Sequence, residues 1–180
     1  HATPQQKADL IRFELIYQHG GIWLDASTIV YENLDWIEKL VAQHQTNSFA
    51  YYRKKNTTCP DFPVLENWLL ASSAKNMFFK SWFEELLKAI ELTPKVYIQQ
   101  IKENNENYQD YFQEIGRLEY LVAYVACQKI MRTTLPSMTL INCDRNAFFY
   151  QVKNKWMKEK VLIDLALNYP PVEKPKLIKL

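Results

Sequence analysis

The sequence predicts an α/β fold, a small mixed sheet flanked by helices. Three observations carry this. Broad apolar stripes recur at three- and four-residue spacing over 76–91 and 111–131, the mark of helices with one buried face. Runs at 22–24, 49–52 and 65–70 are too short for helices and rich in aromatic and branched residues, as buried strands are. The first of these strands follows directly on a helix and a Gly-Gly pair, so helix and strand alternate.

Taken in order, the first helix covers 4–18. Thr3 is a suitable N-cap, Pro4 fits the first helical position, and Gln6 completes a capping box. Leu10, Phe13, Ile16 and Tyr17 give it a buried face. Gly20 and Gly21 end it, because glycine tolerates the left-handed backbone that closes a helix. The strand at 22–24 delivers Asp25 at its end. A short helix within 31–43 is expected next, with Asn33 as N-cap, then a turn at 45–47 and the strand at 48–52. Arg53, Lys54 and Lys55 read best as a solvated turn; a face for anionic phosphate or lipid is the alternative. Pro60 and Pro63 bracket a loop containing Asp61.

The strand at 64–71 is apolar except for Glu66 and Asn67. Polar groups inside a buried run cost free energy unless they are paired or used. Residues 76–91 then form a strongly amphipathic helix, and 96–104 a weaker one. Residues 111–131 read as a second strong helix, with Ile115, Leu118, Leu121, Val122, Val125 and Ile130 inward. A strand at 138–143 and a helix over 148–167 follow. The tail, 170–180, with three prolines and three lysines, reads as an extended surface segment able to touch a membrane surface.

Composition sets the outer bounds. With 180 residues, 48% hydrophobic and 14% aromatic, the chain can bury one core and is not disordered. A net charge of +2 exerts no strong pull on nucleic acid, so no nucleic-acid partner is expected. Cys59, Cys127 and Cys143 have no metal-ligand spacing and read as free thiols of a reducing compartment. There is no run of 18 apolar residues.

The chemistry concentrates between Ala8 and Val30. Asp9 and Arg12 are i, i+3 and lie side by side on the first helix. Asp25 stands where open α/β sheets bind ligands, at the end of a strand. It could take a hard divalent cation, with Ser27 or Thr28 supplying a hydroxyl or ordering a water. A carboxylate on a metal and a fixed guanidinium would together suit a sugar diphosphate. The competing reading makes Asp9 and Arg12 a surface ion pair, contributing no more than about 1 kcal/mol, and Asp25 a turn cap.

The pattern Asp9-Leu10-Ile11-Arg12 followed by Gly20-Gly21-Ile22-Trp23-Leu24-Asp25-Ala26-Ser27 resembles the DXD region of GT-A glycosyltransferases. It looks most like the capsular-polysaccharide-synthesis and related sugar-binding DXD families, and more distantly like the glucosylating clostridial toxins. The motif covers roughly the first 30 residues. A looser likeness runs from Glu66-Asn67-Trp68 to the region of Tyr120.

The resemblance implies a GT-A-like domain over 1–180, expected to be a C-terminal portion lacking the N-terminal nucleotide-binding half. It implies a glycosyltransferase using a nucleotide-diphosphate sugar donor and Mn²⁺ or Mg²⁺. The acceptor would be a saccharide or lipid-linked saccharide in capsular or cell-surface polysaccharide synthesis. Such work would be done in the cytoplasm, with peripheral attachment to the inner face of the membrane. Asp9, Arg12, Gly21 and Asp25 would bind donor, and Asp25 and Ser27 the metal. Ser27 stands at the second acid of DXD, where capsule-type relatives often carry a small hydroxyl residue, and this leaves the metal one carboxylate short. His1, His19 and His44 all lie early, so no C-terminal histidine completes the set. Asn67 and Trp68 would face acceptor, Trp68 by stacking on a sugar unless it is a core residue. Glu66 and Asp61 are candidates for acceptor binding and general base, against the alternative that Glu66 faces solvent from an edge strand. A non-catalytic sugar-binding or assembly subunit is the alternative function.

Overall fold

The first helix, α1 (Pro4–His19), forms as its ends dictate. The Thr3 hydroxyl accepts from the Gln6 backbone, and the Gln6 side chain accepts from the Thr3 backbone. The computed structural model describes residues 2–167 and 175–180. Gly20 closes α1 at φ 68° and ψ −151°, and its N–H reaches Ile16 O at 2.9 Å. A Cβ at Gly20 would stand 2.5 Å from Ala74 N and 2.8 Å from Ser72 O, both backbone. At Gly21, φ 81°, a Cβ would meet nothing within 4 Å. Gly20→Ala should therefore cost roughly 3 kcal/mol or more, and Gly21→Ala nearer ~1 kcal/mol. Urea unfolding of the two variants measures the difference.

Beyond the glycines the chain runs through β1 (Gly21–Leu24), β2 (Thr28–Val30), α2 (Asp35–Gln43), β3 (Ser48–Tyr52) and β4 (Leu65–Ser72). It continues with α3 (Met77–Glu91), α4 (Pro94–Asn104), α5 (Gln109–Phe112), α6 (Val122–Met131) and β5 (Met138–Asn142). Last come α7 (Phe149–Lys153), α8 (Lys158–Ala166) and β6 (Leu177–Lys179). The main sheet has the order β1-β4-β3-β5; its β1–β4 and β4–β3 pairs are antiparallel and β3–β5 is parallel. The expected mixed sheet flanked by helices is thus present, and its layering is consistent with a GT-A-like architecture.

The central strand β3 explains why the sheet is covered on both faces. Ala50 packs with Phe13, Leu70, Trp82 and Val125, while Phe49 and Tyr51 pack with Trp36, Trp68 and Phe148. Alternate side chains point to opposite faces, so each face needs its own layer. Helices α1, α3, α4 and α6 supply one; α2, Phe148 and Leu177 supply the other. Trp82 anchors the first, stacked on Phe13 at 4.2 Å, with its Nε1 donating to Ala123 O at 2.8 Å.

Four expectations are corrected. The helix predicted over 111–131 is two short helices, because Gln113 (φ 45°) and Arg117 (φ 49°) leave the helical region around Gly116. The helix predicted over 148–167 breaks at Lys155 (φ 49°) and Trp156 (φ 63°). Asn33 does not cap α2; Leu34 holds that position, and the Asn33 amide bonds Asp35 instead. The surface tail is corrected at its end: Leu177 and Ile178 are buried, and β6 pairs antiparallel with β2. Residues 170–174 of that tail lie outside the described residues.

Among the described residues no helix is long and apolar enough to cross a membrane. All three cysteines are free, and Cys127 and Cys143 are buried.

Candidate active site

The register of β4 against β3 builds the site. Leu70 faces Ala50 and Leu65 faces Tyr52, so Glu66, Asn67, Trp68 and Leu69 lie opposite the single residue Tyr51. A bulge of this kind re-aims side chains that a regular strand would alternate. Three consecutive residues, Glu66, Asn67 and Trp68, consequently line one cleft of about 850 Å³. Asp25 reaches the same cleft because β1 ends there, its N–H held by Trp68 O at 2.8 Å.

Asp9 and Arg12 enter from α1. Its buried residues are Gln6, Asp9, Arg12, Phe13 and Ile16, a stripe at helical spacing, so the two charges sit on the inward face. Asp9 and Arg12 are each only 5% exposed, which excludes the surface-pair reading. Arg12 bridges two carboxylates: one Nη donates to Asp9 Oδ1, the other to Asp25 Oδ1 at 2.8 Å. The indole of Trp23 donates to Asp25 Oδ1 at 2.9 Å, and the guanidinium stacks over that ring at 5.3 Å. Asn67 donates to Asp9 Oδ1 at 3.0 Å. Burial lifts the Asp9 carboxyl to about 6, against the pull of Arg12 and with the Asp25 charge adding to the rise.

Glu66 lies on a central strand and is 5% exposed, so the solvated edge-strand reading does not hold. Burial lifts its carboxyl to about 7; the Tyr124 hydroxyl, donating at 2.8 Å, and Arg53 oppose the rise. Tyr124, on α6, is therefore part of the site. So is Arg53, 9% exposed, bonded to Asp144 and lying 5.2 Å from the rings of both Phe148 and Trp156. The solvated-turn reading fits Lys54 and Lys55, which are exposed, but not Arg53. Trp156 and Tyr120, each 51% exposed, line the cleft.

The remaining sequence candidates fall as follows. Trp68 is 3% exposed and stacked on Tyr51 at 5.1 Å, a core residue with one edge at the cleft. Asp61 is exposed and does not line the cleft, because the loop between Pro60 and Pro63 carries it away. Gly21 lies at the far end of β1 from Asp25, opposite Ser72, and does not line the cleft either. Ser27 is exposed, and its hydroxyl accepts from the Lys179 ammonium. Lys179 arrives on β6, opposite Thr28, and lines the cleft.

The protein offers Mn²⁺ or Mg²⁺ a single carboxylate. Mg²⁺ takes six oxygens, one or two from carboxylates and the others from substrate phosphates and water. Asp25 is a single carboxylate whose Oδ1 already accepts two N–H bonds, and the Ser27 hydroxyl faces an ammonium. Among the described residues no group of three or more His, Cys, Asp or Glu comes together.

A helix-flanked mixed sheet with an Asp–Arg–Asp bridge at a strand end defines an α/β protein with a polar cleft. The family described as capsular polysaccharide synthesis protein matches residues 2–162, and the chain belongs to it. Among curated proteins it is similar to "Glycosyltransferase afumC" of Aspergillus fumigatus, 28% identical over 80 residues, covering 44% of this chain and 20% of that protein. It is also similar to "O-glycosyltransferase braB" of Annulohypoxylon truncatum, 29% identical over 85 residues, 44% of this chain and 19% of that protein. The match thus spans about a fifth of each relative's length. No solved structure matches.

Proposed function

We propose that the protein is a glycosyltransferase that moves a sugar from a nucleotide-diphosphate donor to a saccharide or lipid-linked saccharide acceptor. The observation that carries this is the bridge from Arg12 to Asp9 and Asp25 at the floor of the cleft. Buried ion pairs are weak devices for stability. Two carboxylates aimed by one guanidinium are a strong device for holding sugar hydroxyls in a fixed orientation. The names of the two fungal relatives, both glycosyltransferases, point the same way.

In this reading Asp9 and Asp25 accept hydrogen bonds from the donor sugar. Glu66 takes the proton of the acceptor hydroxyl, since a base poised near neutrality is suited to that work. The acceptor oxygen bonds to the anomeric carbon. The bond from that carbon to the diphosphate breaks, and its electron pair leaves with the diphosphate. Trp156 and Tyr120 form an aromatic rim on which the acceptor's sugar face stacks.

Incubation with UDP- and GDP-sugars and a panel of saccharide acceptors, read by mass spectrometry, tests the reaction. Trp156→Ala should raise KM for the acceptor about fivefold and leave donor affinity unchanged, as loss of one stacking contact of ~1 kcal/mol predicts. A protein that binds donor but never turns it over, with any acceptor, would instead be the sugar-binding subunit.

A further inference from the structure

Lys179 is a cation that the motif at residues 25–27 does not foresee. It meets that motif where a second carboxylate would stand. The Lys179 ammonium donates to the Ser27 hydroxyl and lies 3.4 Å from Ser27 O, and its neighbour Leu180 anchors its own N–H on Ser27 O at 2.9 Å. The strand pair of β2 and β6 fixes this approach, with Thr28 opposite Lys179 and the Lys179 N–H bonded to Ala147 O at 3.0 Å. Among the described residues Lys179 forms no salt bridge to an Asp or Glu within 4.0 Å, its ammonium donating also to Leu180 O at 3.2 Å, whereas Arg12 is shared between two carboxylates.

We propose that Lys179 takes the place of a divalent metal, binding the diphosphate of the donor and steadying its departure. The proposal rests on the reading of the cleft as a donor site. Its logic is one of exchange. A divalent ion at Asp25 would have one protein carboxylate, because Ser27 stands where a second would be and its hydroxyl is already bonded to Lys179. The ammonium is seated by the Ser27 hydroxyl and by the longer contacts to Ser27 O at 3.4 Å and Leu180 O at 3.2 Å, and phosphate oxygens would replace those two carbonyls as its acceptors. Charge that develops on a leaving diphosphate is met equally by a fixed cation in a partly dehydrated cleft. Placing a metal beside Asp25 would instead crowd a third positive charge against Arg12 and Lys179.

Calorimetry with inorganic pyrophosphate, UDP and GDP, each with EDTA and with Mn²⁺, tests this. The parent protein should bind in EDTA, with Mn²⁺ changing the affinity less than threefold. Lys179→Ala should weaken metal-free binding at least tenfold, and Lys179→Arg should retain most of it; circular dichroism checks that both fold. The double variant Lys179→Ala/Ser27→Asp should recover binding only when Mn²⁺ is added. Binding by the parent that requires Mn²⁺ would overturn the exchange and leave the donor-site reading standing, as would undiminished metal-free binding by Lys179→Ala. Absence of binding under every condition would overturn the donor-site reading and this proposal with it.

Discussion

Glu66→Gln is expected to yield a protein more stable than its parent at pH 8 and at least ~100-fold slower in sugar transfer. Both effects have one origin, the burial of a carboxylate at 5% exposure. Folding lifts the Glu66 carboxyl from 4.5 to about 7. A raised acid binds more protons when native than when unfolded between those two values, so its contribution is fully present below pH 4.5 and is lost as pH rises through 7. At pH 8 the native state carries a buried charge disfavoured by roughly 3 kcal/mol, at about 1.4 kcal/mol per pKa unit. Glutamine removes that charge and keeps an oxygen to accept from Tyr124. The stabilisation should therefore appear in urea unfolding at pH 8 and vanish near pH 4. General base catalysis contributes 10²–10⁴-fold, which sets the loss in rate. The parent's kcat/KM should rise about tenfold per pH unit below 7 and level off above it, and the variant's should not. A stabilised variant with an undiminished rate would make Glu66 a structural residue only.

The elements that the sequence predicts correctly are those specified by neighbours in the chain. The Thr3–Gln6 capping box, the Gly20 stop and the strand entering Asp25 all rest on contacts within a few residues. The breaks at 113–117 and 155–156 were hidden because a loop whose apolar side chains face the core can mimic helical spacing. Ile115 is buried in the structure although no helix carries it. Asp9 and Arg12 were recognisable as a candidate site, but their burial was not, because the apolar face at Leu10, Phe13, Ile16 and Tyr17 left them free to be a surface pair, whereas the inward stripe is Gln6, Asp9, Arg12, Phe13 and Ile16. Lys179 and Tyr124 were not recognisable, and Arg53 entered only through the alternative reading of 53–55 as an anion-facing run. Lys179 meets Ser27 across 152 residues and Tyr124 meets Glu66 across 58, and no local pattern encodes contacts of that span. The β4 bulge was equally hidden, because its register shift exists only against β3. In sequence Glu66 and Asn67 looked like flaws in an apolar strand, the kind of local inconsistency that marks a functional site.

Arg12→Ala should be the most damaging single change in the site, at about 3–5 kcal/mol of stability. The guanidinium is what makes the buried Asp9 carboxylate and the half-buried Asp25 carboxylate tolerable together. Without it, among the described residues, Asp9 keeps the side-chain bond from the Asn67 amide at 3.0 Å and Asp25 the one from the Trp23 indole at 2.9 Å. Burial already raises Asp9 to about 6 with Arg12 present, and removal of the cation drives it further in the same direction. A carboxyl that can protonate escapes part of the penalty, so the loss should be smaller at pH 5 than at pH 8. Arg12→Lys retains the charge but reaches one carboxylate rather than two, and should recover less than half of the loss. Arg12→Ala/Asp9→Asn should be less damaged than the sum of its parts, because neutralising Asp9 removes the orphaned charge. Urea unfolding at the two pH values, combined with pyrophosphate calorimetry, separates stability from binding. A loss of no more than ~1 kcal/mol in Arg12→Ala at pH 8 would return Asp9 and Arg12 to the rank of an exposed pair. The predicted result, a large loss that Asp9→Asn relieves, would show that this buried bridge holds Asp25 and Asp9 in place at the floor of the cleft.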